Sequence, residues 1–157
     1  MNAYVNPQLG GDAVRASHRI ENFIRQSSFD RPTLVLDRQI VADQYRALKA
    51  GLGRADIHYA VKANPAREIL STLIAEGSHF DAASRGEIEL CLSLGARPET
   101  ISYGNTVKRA SDIAFAHAAG IRVFAADAEE ELEKLAIHAP GAQVYIRLLV
   151  GSTEADW

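Results

Sequence analysis

The stretch IHYAVKANPAREILSTLIAEGSHFDA, residues 57–82, contains one full unit of the pattern that decides the fold. Its apolar start predicts a strand over residues 57–62, and the amphipathic spacing that follows predicts a helix over residues 66–76. Gly77 then stands where a left-handed C-cap is favoured, and a second strand is predicted over residues 78–83. One helix between two such strands indicates a right-handed crossover within a parallel sheet.

The same unit repeats along the rest of the chain with nearly constant length. Further strands are predicted over residues 100–103, 121–126 and 143–150, and further helices over residues 85–94, 108–119 and 128–138. About five such repeats indicate an α/β fold, and units this short favour the N-terminal part of a parallel (β/α)8 barrel of the TIM type. An open flavodoxin-like sheet is the structural alternative.

The residues before this repeat predict a shorter region. Thr33–Leu36 has the pattern of a strand, which enters from a second domain or adds to the barrel. A helix is predicted over residues 38–52 with Asp37 as its N-cap, and a short leading helix over residues 16–27. The predicted domains are an N-terminal arm with a short helix, residues 1–31, and a partial barrel, residues 32–157.

The composition is that of an ordinary globular protein and argues against several classes of partner. Hydrophobic residues make up 47% of the 157, which suffices for a buried core. The net charge of −3 gives no reason to expect binding to nucleic acid. No apolar run approaches the ~20 residues needed to cross a bilayer. The polar N-terminus lacks the apolar stretch of a secretory signal, so no membrane partner is expected.

Cysteine and histidine usage narrows the chemistry. Cys91 is the only cysteine, which excludes a disulfide scaffold and favours a reducing, cytoplasmic setting. It lies between Leu90 and Leu92 in a helical pattern, so we interpret it as a small core residue. The five histidines show no metal-ligand spacing, and no dinucleotide or Walker-type glycine loop is present, so we expect no metal site.

Lys62 is the first candidate site residue, because it ends an apolar strand and Asn64-Pro65 follows as a turn signal. Apolar neighbours around the stem would favour the neutral amine, which can form a Schiff base with a carbonyl. The simpler interpretation is a lysine that extends to water from the end of a strand.

Asp81 and Arg147 are the next candidates, since each interrupts an apolar strand. In a barrel, the C-terminal ends of the strands converge on the mouth where active sites lie. A purely structural ion pair between the two residues is the alternative, because buried charges need partners.

Other polar residues at the strand ends have structural explanations that stay open. Ser84 and Asp127 have the positions of helix N-caps, and Glu87 has the spacing of the capping-box partner of Ser84. Asn105 fits a turn, with Thr106 after it as an N-cap.

Three motifs occur in order along the chain: YAVKAN at residues 59–64, FDAASRGEI at residues 80–88 and ISYGNTVK at residues 101–108. Together they resemble the alanine-racemase-fold (fold type III) pyridoxal-phosphate decarboxylases. Within this group the chain looks most similar to ornithine decarboxylases and their bacterial ornithine/lysine relatives, over about residues 32–147. Diaminopimelate decarboxylases and alanine racemases share less of these motifs.

The resemblance implies a cofactor and roles for five residues. Lys62 would bind pyridoxal 5′-phosphate covalently, with Asp81 as the acid near that linkage. Glu87 would help to position the lysine, Arg147 would lie beside the cofactor ring, and Ala60 would line the pocket beneath it. Such an assembly suits a cofactor that acts as an electron sink.

The implied function is decarboxylation of a basic amino acid, first L-ornithine to putrescine in polyamine biosynthesis, with lysine, arginine or diaminopimelate as alternative substrates. A non-catalytic homologue that binds the cofactor or a regulator is the alternative of another class. The family is expected to act as a homodimer at full length. Its C-terminal β domain has no counterpart in these 157 residues, so we expect an N-terminal fragment that is inactive by itself.

Overall fold

The computed structural model describes residues 17–149, and its centre is a parallel sheet of five strands in the order β1-β2-β3-β4-β5. The strands are β1 (His58–Ala60), β2 (His79–Ala82), β3 (Ile101–Tyr103), β4 (Val123–Ala126) and β5 (Gln143–Ile146). A doubly wound sheet reverses its strand order at a switch point, whereas a barrel adds each strand beside the previous one. The observed order therefore confirms barrel-type winding and rejects the flavodoxin-like alternative.

One helix lies in each connection between strands, as the sequence pattern predicts. The helices are α1 (His18–Gln26), α2 (Arg38–Leu52), α3 (Arg67–Ala75), α4 (Arg85–Ser93), α5 (Ala110–Ala118) and α6 (Glu129–His138). Right-handed crossovers between successive strands place α3 to α6 on the same side of the sheet. There α2 packs on α3, α4 on α5, and α5 on α6.

The core lies between the sheet and these helices. Alternate residues of β2 differ in burial: Phe80 and Ala82 are fully buried, while His79 and Asp81 are half-buried. This period of two shows which side chains face the helices and which face the inner side of the sheet. The largest fully buried side chains are Phe80, Phe124, Leu70, Ile88, Ile101, Ile113 and Ile121.

Cys91 is fully buried in α4 among these residues, as predicted for a small core residue. Burial raises the pKa of its thiol to about 11, with the nearby Glu87 carboxylate adding to the effect. The thiolate is therefore strongly disfavoured, which agrees with a packing role.

The strand predictions need correction at their ends. β1 stops at Ala60, and Val61–Ala63 forms a 3-10 turn, so Lys62 lies in a turn rather than at the end of a strand. β5 ends at Ile146, and the predicted end at Val150 lies outside the described residues. The strand predicted at Thr33–Leu36 is not observed: residues 32–37 have no strand pairing within residues 17–149, so they do not add a strand to the barrel. An apolar run becomes a strand only where a neighbouring strand can bond to it.

Helix caps follow the sequence in two places and depart from it in two others. Asp37 caps α2 by accepting from the backbone N–H of Gln39, and Ser84 caps α4, so both predictions are confirmed. The predicted caps at Thr106 and Asp127 are wrong, because α5 begins only at Ala110 and Ala128 precedes α6 without a side-chain cap. Three glutamates in the first turn of α6 instead supply the negative charge that a helix N-terminus favours.

The short leading helix is attached to the first helix of the barrel region through Asp37. Its carboxylate accepts from Ser17 Oγ at 3.0 Å and from Arg19 Nε at 2.8 Å. The hydrogen bond from Arg19 is the main cause that lowers the pKa of Asp37. A cap residue of α2 thereby also fixes the position of α1.

Candidate active site

Lys62 lies at the C-terminal edge of the sheet, where barrel active sites are found. It stands between fully buried Val61 and exposed Ala63, in a turn that contacts β2. Asn64 fixes the following bend, because its Oδ1 accepts from the backbone N–H of Ala66 at 3.1 Å. The Lys62 side chain is exposed, so the apolar surroundings that we expected are absent. Within residues 17–149 no hydrogen bond or ion pair engages its amine.

Asp81 lies on the strand next to Ala60, on the same side of the sheet. The register pairs Ala60 with Asp81 and Asp81 with Ser102 across the first three strands. Paired residues of parallel strands point to the same face, so the three side chains form one row. Ser102 Oγ donates to Asp81 Oδ1 at 3.0 Å. The carboxylate therefore has a hydrogen-bond partner on the inner face, where it is half-buried.

The same carboxylate lies against Gly104, which follows β3. A Cβ built on Gly104 would come within 2.6 Å of Asp81 Cγ, closer than real contacts allow. The absence of a side chain at position 104 is therefore what gives the Asp81 carboxylate its space.

Glu87 is held at the start of α4 and does not reach Lys62. Its Oε2 accepts from the backbone N–H of Ala83 at 2.6 Å, and its own N–H donates to Ser84 Oγ at 3.3 Å. This arrangement is close to a capping box, in which the two side chains satisfy free N–H groups reciprocally. The structural interpretation of Glu87 is thus observed, and its role toward the lysine stays a prediction.

Arg147 directly follows β5, where its backbone N–H donates to Ala126 O at 2.9 Å. The residue is exposed, and no ion pair joins it to Asp81 in the part of the chain that the structure describes. The structural ion pair that was the alternative for these two residues is therefore not observed. Arg147 is also less buried than its apolar flanks predict, since Ile146 is itself 48% exposed.

Tyr145 is a residue of this region that the sequence analysis missed, and both Asp81 and Arg147 affect the pKa of its phenol. Burial is the main cause that raises the pKa of its phenol; the Asp81 carboxylate adds to this, and Arg147 opposes it. The Asp81 carboxylate on β2 and the Arg147 guanidinium directly after β5 therefore have opposite effects on the pKa of one phenol. The alternation of Tyr145 and Arg147 with the apolar positions of β5 is the signal that could have found it.

A second group of charges, formed by Lys108, Glu131 and Lys134, lies after β3 and was also missed. The Lys108 side chain has 0% exposure, and its Nζ donates to Ala125 O at 2.6 Å and Asn105 O at 2.9 Å. It also lies 3.2 Å from Glu131 Oε2. Lys134 Nζ donates to Glu131 Oε1 and to Lys108 O. These contacts fix the loop between β3 and α5.

Protonation of this group reflects both burial and pairing. Burial lowers the pKa of Lys108, with Glu131 opposing the shift. Burial would raise the pKa of Glu131, but the hydrogen bonds from Lys134 and Lys108 together lower it. Glu131 is therefore a buried carboxylate that depends on its two lysines.

Two findings limit other kinds of site within residues 17–149. No cluster of three or more His, Cys, Asp or Glu side chains could hold a metal ion there. None of the helices in that part of the chain is long and apolar enough to cross a membrane.

One family of proteins matches most of the chain, including the strands and the three motifs described above. Residues 38–156 match the family described as pyridoxal-dependent decarboxylase, pyridoxal binding domain. The chain belongs to this family. Its cofactor is pyridoxal phosphate, and related structures contain it.

Individual relatives agree with this assignment. The chain is 40% identical over 124 residues to the lysine/ornithine decarboxylase of Selenomonas ruminantium, covering 79% of this chain and 32% of that protein. It is 41% identical to the ornithine decarboxylase of Mus pahari, over 74% of this chain and 25% of that protein. The chain therefore spans about a third or less of these relatives.

Among solved structures, the lysine/ornithine decarboxylase from Vibrio vulnificus, complexed with putrescine, superimposes with a TM-score of 0.75 at 39% identity. The match covers 83% of this chain and 36% of that one. Together with the sequential strand order, this likeness confirms the predicted α/β barrel architecture.

The residues present fit pyridoxal phosphate. A cofactor aldehyde needs an accessible amine, and Lys62 is exposed at the sheet edge that carries barrel active sites. Asp81 supplies a carboxylate on the strand beside Ala60, which lies two residues before the lysine. Arg147 at the end of β5 places a cation at the same edge. Lys62, Asp81 and Arg147 thus have side chains of the kind that the cofactor needs, and the small side chain of Ala60 lies in the same row as Asp81.

Proposed function

We propose that this sequence supplies the cofactor-binding part of a decarboxylase that acts on a basic amino acid, with L-ornithine as substrate and putrescine as product. The observation that carries this proposal is the exposed Lys62 amine, two residues after Ala60 and hence beside the strand of Asp81, in a chain of the pyridoxal-dependent decarboxylase family. Relatives named for ornithine and lysine support the choice of a basic amino acid.

The side chains of the chain would divide the work between them. When bound, the cofactor withdraws electrons from the substrate carbon that loses its carboxylate. Lys62 would hold the cofactor covalently and take up a proton when the substrate amine displaces it. Asp81 would stabilise the resulting ammonium, because an opposite charge close by favours the charged form. Arg147 would counter the negative charge that the cofactor brings to the edge of the sheet.

The remaining features of the proposal concern the whole protein. A homodimer in the cytoplasm that serves polyamine biosynthesis is the assembly that fits this substrate. The single buried Cys91, which forms no disulfide, agrees with a reducing compartment. Lysine is the second choice of substrate, because two relatives are named for both lysine and ornithine.

Carbon dioxide release by the full-length protein tests the proposal. Ornithine, lysine, arginine and diaminopimelate are compared at equal concentration, and alanine racemisation is measured in parallel. We expect the highest kcat/KM for ornithine. Racemisation of alanine without release of carbon dioxide from any substrate would overturn the assignment. Stable cofactor binding with no turnover of any of them would favour a non-catalytic homologue.

A further inference from the structure

Ser102 occupies an unusual position for a buried hydroxyl, because it points into the inner side of the sheet between titratable groups. It is 4% exposed and lies in the register position next to Asp81. Its Oγ lies 3.0 Å from Asp81 Oδ1, 3.3 Å from Phe80 O and 3.4 Å from His58 Nδ1. The shortest of these contacts is the one to the carboxylate.

A serine hydroxyl has one proton to donate, so these three contacts cannot all be bonds from Ser102. Donation to a carboxylate is stronger than donation to a backbone carbonyl, and the distance to Asp81 is shorter. Phe80 O also belongs to the hydrogen-bonded sheet. His58 Nδ1, when it carries a proton, can donate to the lone pairs that remain on Ser102 Oγ. The Ser102 hydroxyl therefore donates its proton to the Asp81 carboxylate.

Gly104 makes the same conformation of Asp81 possible from the other side. A Cβ at position 104 would overlap the carboxylate, while the backbone there lies outside the region of φ reserved for glycine. Alanine at 104 would therefore be tolerated by the backbone and would displace only the flexible end of Asp81.

We infer that Ser102 is a positioning residue, which holds the Asp81 carboxylate in the space over Gly104 on the face of the sheet where Lys62 meets the cofactor. This inference rests on the proposed function, because it assigns Asp81 a role toward the cofactor-bearing lysine. Without the hydroxyl, an aspartate side chain is free to take its other staggered conformations. The charge of Asp81 would then be less well placed toward Lys62.

A matched control exists in the same sheet region. Ser78 is as buried as Ser102, at 4%, but its Oγ contacts only backbone carbonyl oxygens, His79 O at 2.8 Å and Ile57 O at 3.4 Å. Ser78→Ala therefore removes an equally buried hydroxyl without touching a carboxylate.

The experiment compares full-length wild type, Ser102→Ala, Ser102→Thr, Gly104→Ala and Ser78→Ala. The dissociation constant of the apo-protein for pyridoxal phosphate and the Asp81 side-chain conformation in crystals of the apo-protein are measured. We expect Ser102→Ala to move Asp81 and to weaken cofactor binding roughly fivefold, the effect of one lost hydrogen bond. Gly104→Ala should displace the same carboxylate and weaken binding in the same direction. Ser102→Thr keeps the hydroxyl and should restore both. Ser78→Ala should change neither.

The outcomes distinguish failure of the proposed function from failure of the positioning role of Ser102. Failure of the wild type to bind the cofactor overturns the proposed function and this inference with it. Normal binding by wild type with unchanged Asp81 conformation and affinity in Ser102→Ala overturns the inference alone, as does an equal loss in Ser78→Ala. If Ser102→Ala does not fold, Gly104→Ala tests whether the placement of Asp81 matters, because it acts on the same carboxylate without removing a buried polar group. A displaced Asp81 with unchanged cofactor affinity would then overturn the inference.

Discussion

Lys62 and Lys108 each follow a strand of the same parallel sheet, yet the structure treats them in opposite ways. Lys62 is exposed, and no partner for its amine lies within residues 17–149. Lys108 has 0% side-chain exposure and is surrounded by Ala125 O, Asn105 O and the Glu131 carboxylate. The difference shows that exposure and partners distinguish the two amines: Lys62 is accessible to a cofactor aldehyde, whereas Lys108 is enclosed by the groups that it bonds to.

The largest expected effect is that of replacing Lys62, because Lys62 and not Lys108 is expected to bind the cofactor. Lys62→Ala in the full-length protein should abolish covalent cofactor attachment and lower turnover by orders of magnitude. Lys62→Arg should be no better, because a guanidinium stays protonated and cannot act as the nucleophile. Borohydride reduction followed by peptide mapping reports the attachment site. Lys49→Ala is the control, and finding the cofactor on Lys49 or Lys108 would reject the assignment.

A second test asks whether an accessible lysine is sufficient. Residues 1–157 expressed alone should be inactive and should bind pyridoxal phosphate weakly or not at all, because one lysine and few other groups would contact it. Absorbance titration with the cofactor and an assay of carbon dioxide release measure this. A soluble monomer with stoichiometric cofactor and decarboxylase activity would contradict the prediction.

Lys108 should matter for stability instead of attachment. Lys108→Met removes one partner of the buried Glu131 and should lower the free energy of unfolding by roughly 3 kcal/mol. Chemical denaturation measures the loss. Lys108→Met combined with Glu131→Leu should recover much of it, since an apolar pair leaves no buried charge without a partner. A single variant as stable as wild type would show that the charges contribute little.

The pH dependence of stability should report Glu131. Its pKa in the folded chain is lowered by Lys134 and Lys108, so its contribution is fully present above the unfolded pKa of about 4.5. That contribution is lost as the pH falls through the folded value. Unfolding of wild type and Glu131→Gln between about pH 3 and 7 tests this. The wild type should lose stability more steeply in acid, and parallel curves would contradict the prediction.

The smallest expected effect is at the start of α4. Ser84→Ala removes the side-chain acceptor for the Glu87 N–H and should cost about 1 kcal/mol of stability. Ser93→Ala is a control on the same helix, since Ser93 Oγ bonds only to Leu90 O. Thermal unfolding compares the two, and a larger loss in Ser93→Ala would show that the cap is not the important contact.

Most of the fold could be read from local patterns. The helix predicted over residues 38–52 is observed as Arg38–Leu52, and five strands appear where apolar runs alternate with amphipathic segments. These patterns report burial of one face at a period of 3.6 or 2, which is a local property. The exceptions are Thr33–Leu36 and the caps at Thr106 and Asp127. Formation of a strand depends on a partner distant in sequence, and the start of a helix depends on how the loop before it is held.

The sequence predicted which residues are candidates for the site better than it predicted their contacts. Lys62, Asp81 and Arg147 stand out because each is a charged residue in or directly after an apolar run, where a charge needs a partner. The hydroxyl of Ser102 and the space over Gly104 could not be predicted in the same way, because they depend on strand register. A shift of one residue between β2 and β3 would turn Ser102 to the other face.

The sequence by itself therefore determined the repeat of strands and helices, the lysine motif and the family, because each rests on residues close together in the chain. Only the tertiary structure decided that Lys62 is accessible while Lys108 is enclosed, and that Asp81 bonds to Ser102 instead of Arg147. The physical reason is the same in both cases. A charge is stabilised by the groups that surround it in space, and those groups come from neighbouring strands and helices that local sequence does not specify.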